Sequence, residues 1–384
     1  MALSSEENET LTRVGRGTPG GEMLRRYWHP IAFSDELRNK PIRRRILGED
    51  LVLFRDEQHR VGLLGLRCSH RGTSLEFGHI ENGGLRCCYH GWLYDVTGSL
   101  LEMPGEPSDS TFRNRVRHPA YRIQELAGIV FAYLGPEPAP LLPRYDVLVR
   151  EDGVRSMSAR IVHCNFLQMV ENSVDQHHFK WLHRTPKTRQ WRDEKLTSDV
   201  TDFGILDTFT RRVGNESYRT ISLFLMPNMN KVGYHLPEDH PAAFAATHEG
   251  YEALRWRVPA DDVTTMHFTL YFAPLIEGKV QAKIPKDQRE QGLVDSIPGK
   301  YRWDDETGWI ARGDQDRCAQ ESQGSIFDRT AEHLGVSDEG VILLRRLYKQ
   351  CIEAVQRGED PVGIIRDPAK NEILRLVPGE HRVA

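Results

Sequence analysis

The chain has 384 residues, with 51 Lys and Arg against 55 Asp and Glu, and a formal charge of −4 with histidine neutral. That length supports one large or two ordinary domains with substantial cores, and the well-mixed charge gives no electrostatic footprint for nucleic acid. No apolar stretch approaches the length that crosses a bilayer, the N-terminus lacks the apolar centre of a secretory signal, and the six cysteines form no disulfide framework, so a cytoplasmic protein is expected.

In chain order, residues 18–28 (TPGGEMLRRYW) read as a short helix opened by Thr18 and Pro19 and ended by Trp28-His29-Pro30. From about 31 to 140 the text is strand-like and dense with turns, as in RRILGEDLVLFRDE, VGLLGLRC and AGIVFAYLGPEPAP, which predicts a small antiparallel β-domain. The basic run Arg43-Arg44-Arg45 reads as an exposed strand edge, with a docking patch for an acidic electron donor as the weaker alternative. Proline-rich text at 136–143 marks a boundary. Helical character follows at 161–185, strand-like text at 203–226 and 263–274, a polar stretch at 277–305 that reads as a mobile loop, and an amphipathic helix at 340–358. The expected division is an N-terminal helical segment (1–30) packed on the catalytic domain, a small β-domain (31–143) and a larger mixed domain (144–384). This is an α+β arrangement, with helices flanking an antiparallel sheet in the second domain.

Two motifs carry chemistry. Cys68-Ser-His70 is followed by Cys87-Cys-Tyr-His90, and each pair sits beside a turn signal, Arg71-Gly72 and Gly91-Trp92. Two Cys on one iron and two His on the other is the ligand set of a Rieske-type [2Fe–2S] centre, in which neutral imidazoles raise the reduction potential. Structural zinc is the competing reading, but zinc fingers usually pair Cys with Cys and His with His. The second motif, Glu171 to His183, concentrates Asp175, His177, His178 and His183. Two His and one carboxylate on one face of a ferrous ion leave the other face open for dioxygen. At about 100° per helical residue Asp175 and His178 share a face, but His178 and His183 are about 140° apart. Both reach one metal only if the helix bends, bulges or ends between them. The bland alternative for His177 and His183 is a surface or core residue near a helix end.

Together, Cys68-x-His70…Cys87-x2-His90 and Asn172-x2-Asp175-x2-His178-x4-His183 resemble the oxygenase component of the Rieske non-haem iron oxygenases. The opening LTRVGRGTPGGEMLRRYWHP and the segment QESQGSIFDRTAEHLGVSD are similar to the phthalate-dioxygenase-like branch, and GLRCCYHGWLYDVTGSLLE to its dehydrodivanillate O-demethylase-like members. The resemblance implies cluster ligands Cys68, His70, Cys87 and His90, and iron ligands His178 and His183. It also implies an aspartate far downstream. Asp314, Asp316, Glu321 and Asp328 are candidates by sequence alone, and the branch pattern places the ligand at Asp316. It further implies that Asp175 orients His178 and meets a cluster histidine of a neighbouring subunit, within a ring-shaped homotrimer. Ser69 departs from the family, whose members mostly carry proline there.

The function implied is a terminal oxygenase that takes electrons from NAD(P)H through a separate flavin and iron–sulfur reductase or a ferredoxin, since the chain is read as lacking a GxGxxG dinucleotide fingerprint of its own. The expected substrate is an aromatic acid, oxidised by O-demethylation or ring hydroxylation. The alternatives are the same machinery on a steroid or an alkaloid amine, or a Rieske electron carrier without catalysis, which leaves residues 171–183 unexplained. Arg211, Arg212, Tyr218, Arg219 and His235 lie in the strand-like region that a pocket wall would use, but each reads more readily as part of a solvated strand face.

Overall fold

The computed structural model describes residues 2–107, 109–184, 188–234, 251–280, 284–374 and 379–383. His235 lies outside these residues.

The N-terminal segment forms α1 (Ser5–Thr12), closed by a Ser4–Glu7 capping box, and α2 (Pro19–Leu24), capped by the Thr18 side chain. The second helix ends four residues before the expected Trp28. Trp28–Phe33 is already a fully buried strand, β1, because its apolar run finds a partner in the sheet. Gly15-Arg16-Gly17-Thr18-Pro19-Gly20 does spell G-x-G-x-x-G, correcting the sequence reading. It follows a helix rather than a strand and opens a helix of only six residues, so it lacks the context of a dinucleotide site. Among its glycines Gly17 serves the turn, with φ +82°, and Gly20 serves close packing, since a Cβ there would lie 2.7 Å from the Thr10 carbonyl oxygen.

The strands that follow are β2 (Ile42–Ile46), β3 (Glu49–Arg55), β4 (Val61–Gly65), β5 (His79–Glu81), β6 (Gly84–Arg86), β7 (Leu93–Tyr94), β8 (Leu100–Glu102), β9 (Ala120–Leu126) and β10 (Ile129–Tyr133). Six of the first ten strands make one sheet in the order β1-β10-β9-β4-β3-β2, and β5 to β8 form a smaller sheet inserted between β4 and β9. The basic run is the edge strand β2, as read, and its charges are spent internally: Arg43 and Arg45 on Asp50, Arg44 on Glu36. A separate apolar cluster of Val52, Phe54, Leu64, Leu75, Leu85 and Tyr94 joins the two sheets.

The larger region opens with α3 (Asp146–Val149) and β11 (Gly153–Val162), then α4 (Phe166–Val174) and α5 (His178–Trp181). Six long strands follow: β12 (Arg192–Thr201), β13 (Gly204–Val213), β14 (Glu216–Leu225), β15 (Met229–Tyr234), β16 (Tyr251–Asp261) and β17 (Thr264–Ile276). They form an antiparallel sheet in the order β12-β13-β14-β15-β16-β17-β11. The helices α4, α6 (Gln315–Glu321) and α7 (Glu339–Gln356) flank it, and the fold class is α+β. Parts of the stretch 277–305, expected as a mobile loop, are paired, and residues 281–283 lie outside the described ones. Leu293–Asp295 pairs in parallel with β11, and Trp303–Asp304 pairs with Trp309–Ile310, so backbone bonds fix these parts of a segment whose polar composition read as a mobile loop. The two sheet regions share one core, and backbone bonds from Leu47 and Gly48 to Pro259 and Ala260 stitch the β2–β3 turn to the end of β16. No described helix is long and apolar enough to cross a membrane.

Candidate metal centres

The two Cys/His loops are built alike. Cys68 O accepts from Gly72 N at 2.9 Å, and Cys87 O accepts from Gly91 N at 3.1 Å. Cys68 N donates to Thr73 O and Cys87 N to Trp92 O, both at 2.9 Å. Both closing glycines have φ +74°, a left-handed turn that a Cβ would strain. The loops thus face each other as near copies. They bury Cys68 and Cys87 while the imidazoles of His70 and His90 meet at a ring separation of 4.5 Å on the outer side. The His70 ring stacks flat on Trp92 at 4.7 Å. Close approach of two buried thiols is itself unfavourable for ionisation: burial first, and then Cys68, push the Cys87 thiol pKa up. An iron pair would relieve this by taking the thiolates as ligands.

In the second motif the chain solves the 140° problem by breaking the helix. The α4 helix stops at Val174, α5 covers only His178–Trp181, and His183 follows its end. The Asp175 carboxylate makes the joint, accepting from the backbone N–H of His177 at 2.8 Å and of His178 at 3.4 Å. Its other oxygen lies 3.6 Å from His178 Nδ1, which leaves Nε2 to point at Asp316. His183 donates from Nδ1 to Gln315 Oε1 at 2.7 Å, and its Nε2 also faces Asp316 Oδ1, at 3.0 Å. The ligand atoms of His178, His183 and Asp316 all lie within 4.8 Å of one another. Asp316 Oδ1 is buried without a hydrogen-bond donor, although two ring nitrogens surround it. The three groups converge on one point and draw a proton or a cation to it, so this donor set fits a ferrous ion.

The electrostatics point the same way. Burial opposes charge on His178, but Asp175 and Asp316 outweigh it and raise its pKa. Burial likewise opposes charge on Asp316, yet His183 and His178 hold its carboxyl far below the usual range. The other downstream candidates are committed elsewhere. Asp314 pairs with Arg302 and Arg317, Glu321 with Arg317 and Tyr301, and Asp328 caps the turn at Thr330. His177 packs its ring edge on Phe209 and takes no part. Buried links tie α4 to distant parts of the chain. Gln168 donates to the carbonyls of Gln320 and Gly324 at 2.8 and 3.0 Å, and Glu171 binds both Arg329 and Arg345 at 2.7 Å.

Residues 27–120 match the Rieske [2Fe-2S] domain family. The 5,5'-dehydrodivanillate O-demethylase oxygenase subunit of Sphingobium sp. is 37% identical over 100% of this chain and 88% of its own length. This chain belongs to the Rieske non-haem iron oxygenases, as an oxygenase component. It is therefore an oxidoreductase that takes a [2Fe–2S] cluster and one mononuclear iron, with electrons supplied by a separate reductase. The tert-butanol monooxygenase / tert-amyl alcohol desaturase oxygenase subunit of Aquincola tertiaricarbonis is 36% identical over 98% of this chain and 83% of its own. In fold, the oxygenase of a carbazole 1,9a-dioxygenase oxygenase–ferredoxin complex superposes with a TM-score of 0.61 at 19% identity, covering 93% of this chain and 99% of that one.

In this oxygenase the three candidate iron ligands line a cavity of about 320 Å³. Its floor holds residues that sequence reasoning missed. Arg160 on β11, His267 on β17 and Arg257 on β16 stand directly opposite one another across three paired strands. Arg255, one repeat along β16, and Arg312 also line the cavity. Among the described residues, Asp316 is the one carboxylate there, and neither Arg160 nor Arg257 has an ion-pair partner. Arg257, buried, donates to Asn230 and to the Arg255 carbonyl, and its pKa is pushed down to about 9 by burial and then by Arg255. His267 is held well below its ordinary pKa by burial, then by Arg160 and Arg257, so it stays neutral. The noticed group fares differently. Arg211 and Tyr218 are buried rather than solvated, with the Arg211 guanidinium over Trp191 at 4.3 Å, and they do not line this cavity.

Proposed function

We propose that this oxygenase oxidises an aromatic acid, by O-demethylation of a methoxy group or by ring hydroxylation. Cys68, His70, Cys87 and His90 would hold the cluster, and His178, His183 and Asp316 the iron. The observation that carries the substrate reading is the row Arg160–His267–Arg257. A buried guanidinium without counter-charge, as at Arg257, is unfavourable, and a substrate carboxylate would supply that charge through charge-assisted, bidentate hydrogen bonds. Relatedness alone does not decide this, because relatives at similar identity are named for dehydrodivanillate and for tert-butanol. The sign of the cavity does favour an acid.

When bound, the cluster passes single electrons and the iron activates dioxygen. The chain's own residues do the positioning. The arginine row anchors one end of the substrate, and the ring is presented to the same cavity that His178, His183 and Asp316 line. Asp175, 3.6 Å from His178 Nδ1, is placed to orient that ring, as second-sphere carboxylates do. With its side chain 33% exposed, it also remains open to a cluster histidine of a neighbouring copy in a ring-shaped homotrimer. NAD(P)H would act through a separate reductase or ferredoxin docking near His70 and His90. None of the described cysteines is paired with another, which fits a reducing cytoplasm.

The test is a panel of aromatic acids and their methyl esters, turned over with a surrogate reductase while formaldehyde and O2 uptake are followed together. Acids should be preferred. Formaldehyde stoichiometric with NADH marks demethylation, whereas a diol without formaldehyde marks dihydroxylation. Arg257→Leu should lower kcat/KM for the acid about 10- to 100-fold, the worth of a hydrogen bond to a charged group, and leave the ester unaffected. Equal turnover of acid and ester by the parent enzyme would sink the acid reading.

A further inference from the structure

The first cluster loop is tied to a residue that the function described so far does not use. His118, buried just before β9, has Nε2 2.7 Å from the Gly65 carbonyl oxygen. A carbonyl only accepts, so that nitrogen carries the proton. Burial keeps the imidazole below its ordinary pKa, hence neutral, and Nδ1 is bare. Ser69 Oγ, 2.8 Å from Nδ1, must therefore donate to it. The same ring lies against Tyr94 with centroids 4.5 Å apart. The Tyr94 hydroxyl is 3.2 Å from Cys68 Sγ, placed to donate to that sulfur once the thiol is ionised as a ligand. One imidazole thus touches both the residue between two ligands and the phenol that serves one of them.

We propose that His118 is a positioning residue of the [2Fe–2S] centre: through Ser69 it fixes the first ligand loop, and through Tyr94 it keeps a hydrogen-bond donor on the Cys68 sulfur. This rests on Cys68 and His70 being cluster ligands. Where the family resemblance places proline, Ser69 leaves φ unrestricted. The hydrogen bond from Ser69 through His118 to the β4 strand end supplies the missing restraint. Hydrogen bonds to cluster sulfurs favour the reduced, more negative state and raise the potential. His118 therefore acts on two measurable properties, cluster retention and midpoint potential, which separate substitutions can pull apart.

The intact oxygenase is titrated spectroelectrochemically, and cluster loss to a chelator is timed. Ser69→Ala should speed loss about tenfold, the usual effect of removing a supporting partner, and leave the potential in place. Tyr94→Phe should lower the potential and leave retention unchanged. His118→Leu should do both, and adding it to Tyr94→Phe should lower the potential no further. Ser69→Pro with His118→Leu should recover retention while the potential stays low, which keeps the test valid if His118→Leu alone loses its cluster. Parent-like potential and retention in His118→Leu, or additive potentials in the double variant, would overturn the proposal. A Rieske spectrum that survives Cys68→Ser would instead overturn the ligand assignment beneath it.

Discussion

The two candidate metal centres are built in opposite ways. The cluster loops lie within one stretch, Cys68 to His90, each closed by its own backbone bond and a left-handed glycine. The iron trio is assembled across the chain, with Asp316 and the supporting Gln315 some 132 residues from His183. The first site depends on local turns, and the second on buried long-range links from α4, by Gln168 to carbonyls at the end of α6 and by Glu171 to Arg329 and to Arg345 on α7. A site of the first kind can be read from spacing. One of the second kind can be read only in part, because the long-range partner is set by packing.

The largest effect should come from cutting the iron site and sparing the other. His178→Ala or Asp316→Ala should abolish mononuclear iron and turnover while the cluster's visible spectrum stays intact, with iron counted per chain as the readout. Full iron occupancy in Asp316→Ala would return the assignment to Asp314 or Glu321, both of which are held by Arg317. Next is Asp175→Ala, which should keep both metals and lose NADH-coupled turnover. Normal turnover would refute a link between the centres through this carboxylate. A smaller effect is expected from Gln315→Leu, which leaves His183 Nδ1 without its acceptor. Iron affinity should fall about 10- to 100-fold, while cluster retention, being local to its own loops, should not change.

Much of this was legible in the residues. The spacing of the Cys and His pairs, the glycine signals after them, and the requirement that a helix end between His178 and His183 all follow from elementary geometry. The choice of Asp316 needed the family resemblance, since four acidic residues compete and nothing local distinguishes the one whose neighbours leave it uncommitted. The arginine row was invisible for a different reason. Arg160, His267 and Arg257 are adjacent only through strand register across β11, β17 and β16, and no window along the chain contains all three. Arg211 and Tyr218 drew notice because they are close in sequence, yet they pack around Trp191, away from the cavity.

The smallest expected effect separates the surroundings of the two sites by pH. Behind the iron site, on β13, Asp207 is buried, with Oδ1 accepting from Ser198 at 2.5 Å and Oδ2 lacking a donor. Burial pushes its pKa up to about 7 against the opposing Ser198 bond, and Glu339 and Asp175 add to the rise. The folded protein therefore holds this proton in a range where the unfolded chain, with a pKa of about 4, has lost it. Protons bound in the folded state favour folding at low pH, so Asp207 stabilises most below about pH 4, and the contribution fades as pH rises to about 7. Asp207→Asn removes the titration and keeps the acceptor for Ser198. Its denaturant stability relative to the parent should improve steadily between pH 4 and 7 and level off above. Parallel curves for the two proteins would mean that Asp207 ionises as an ordinary carboxylate, with its charge met by a group other than Ser198.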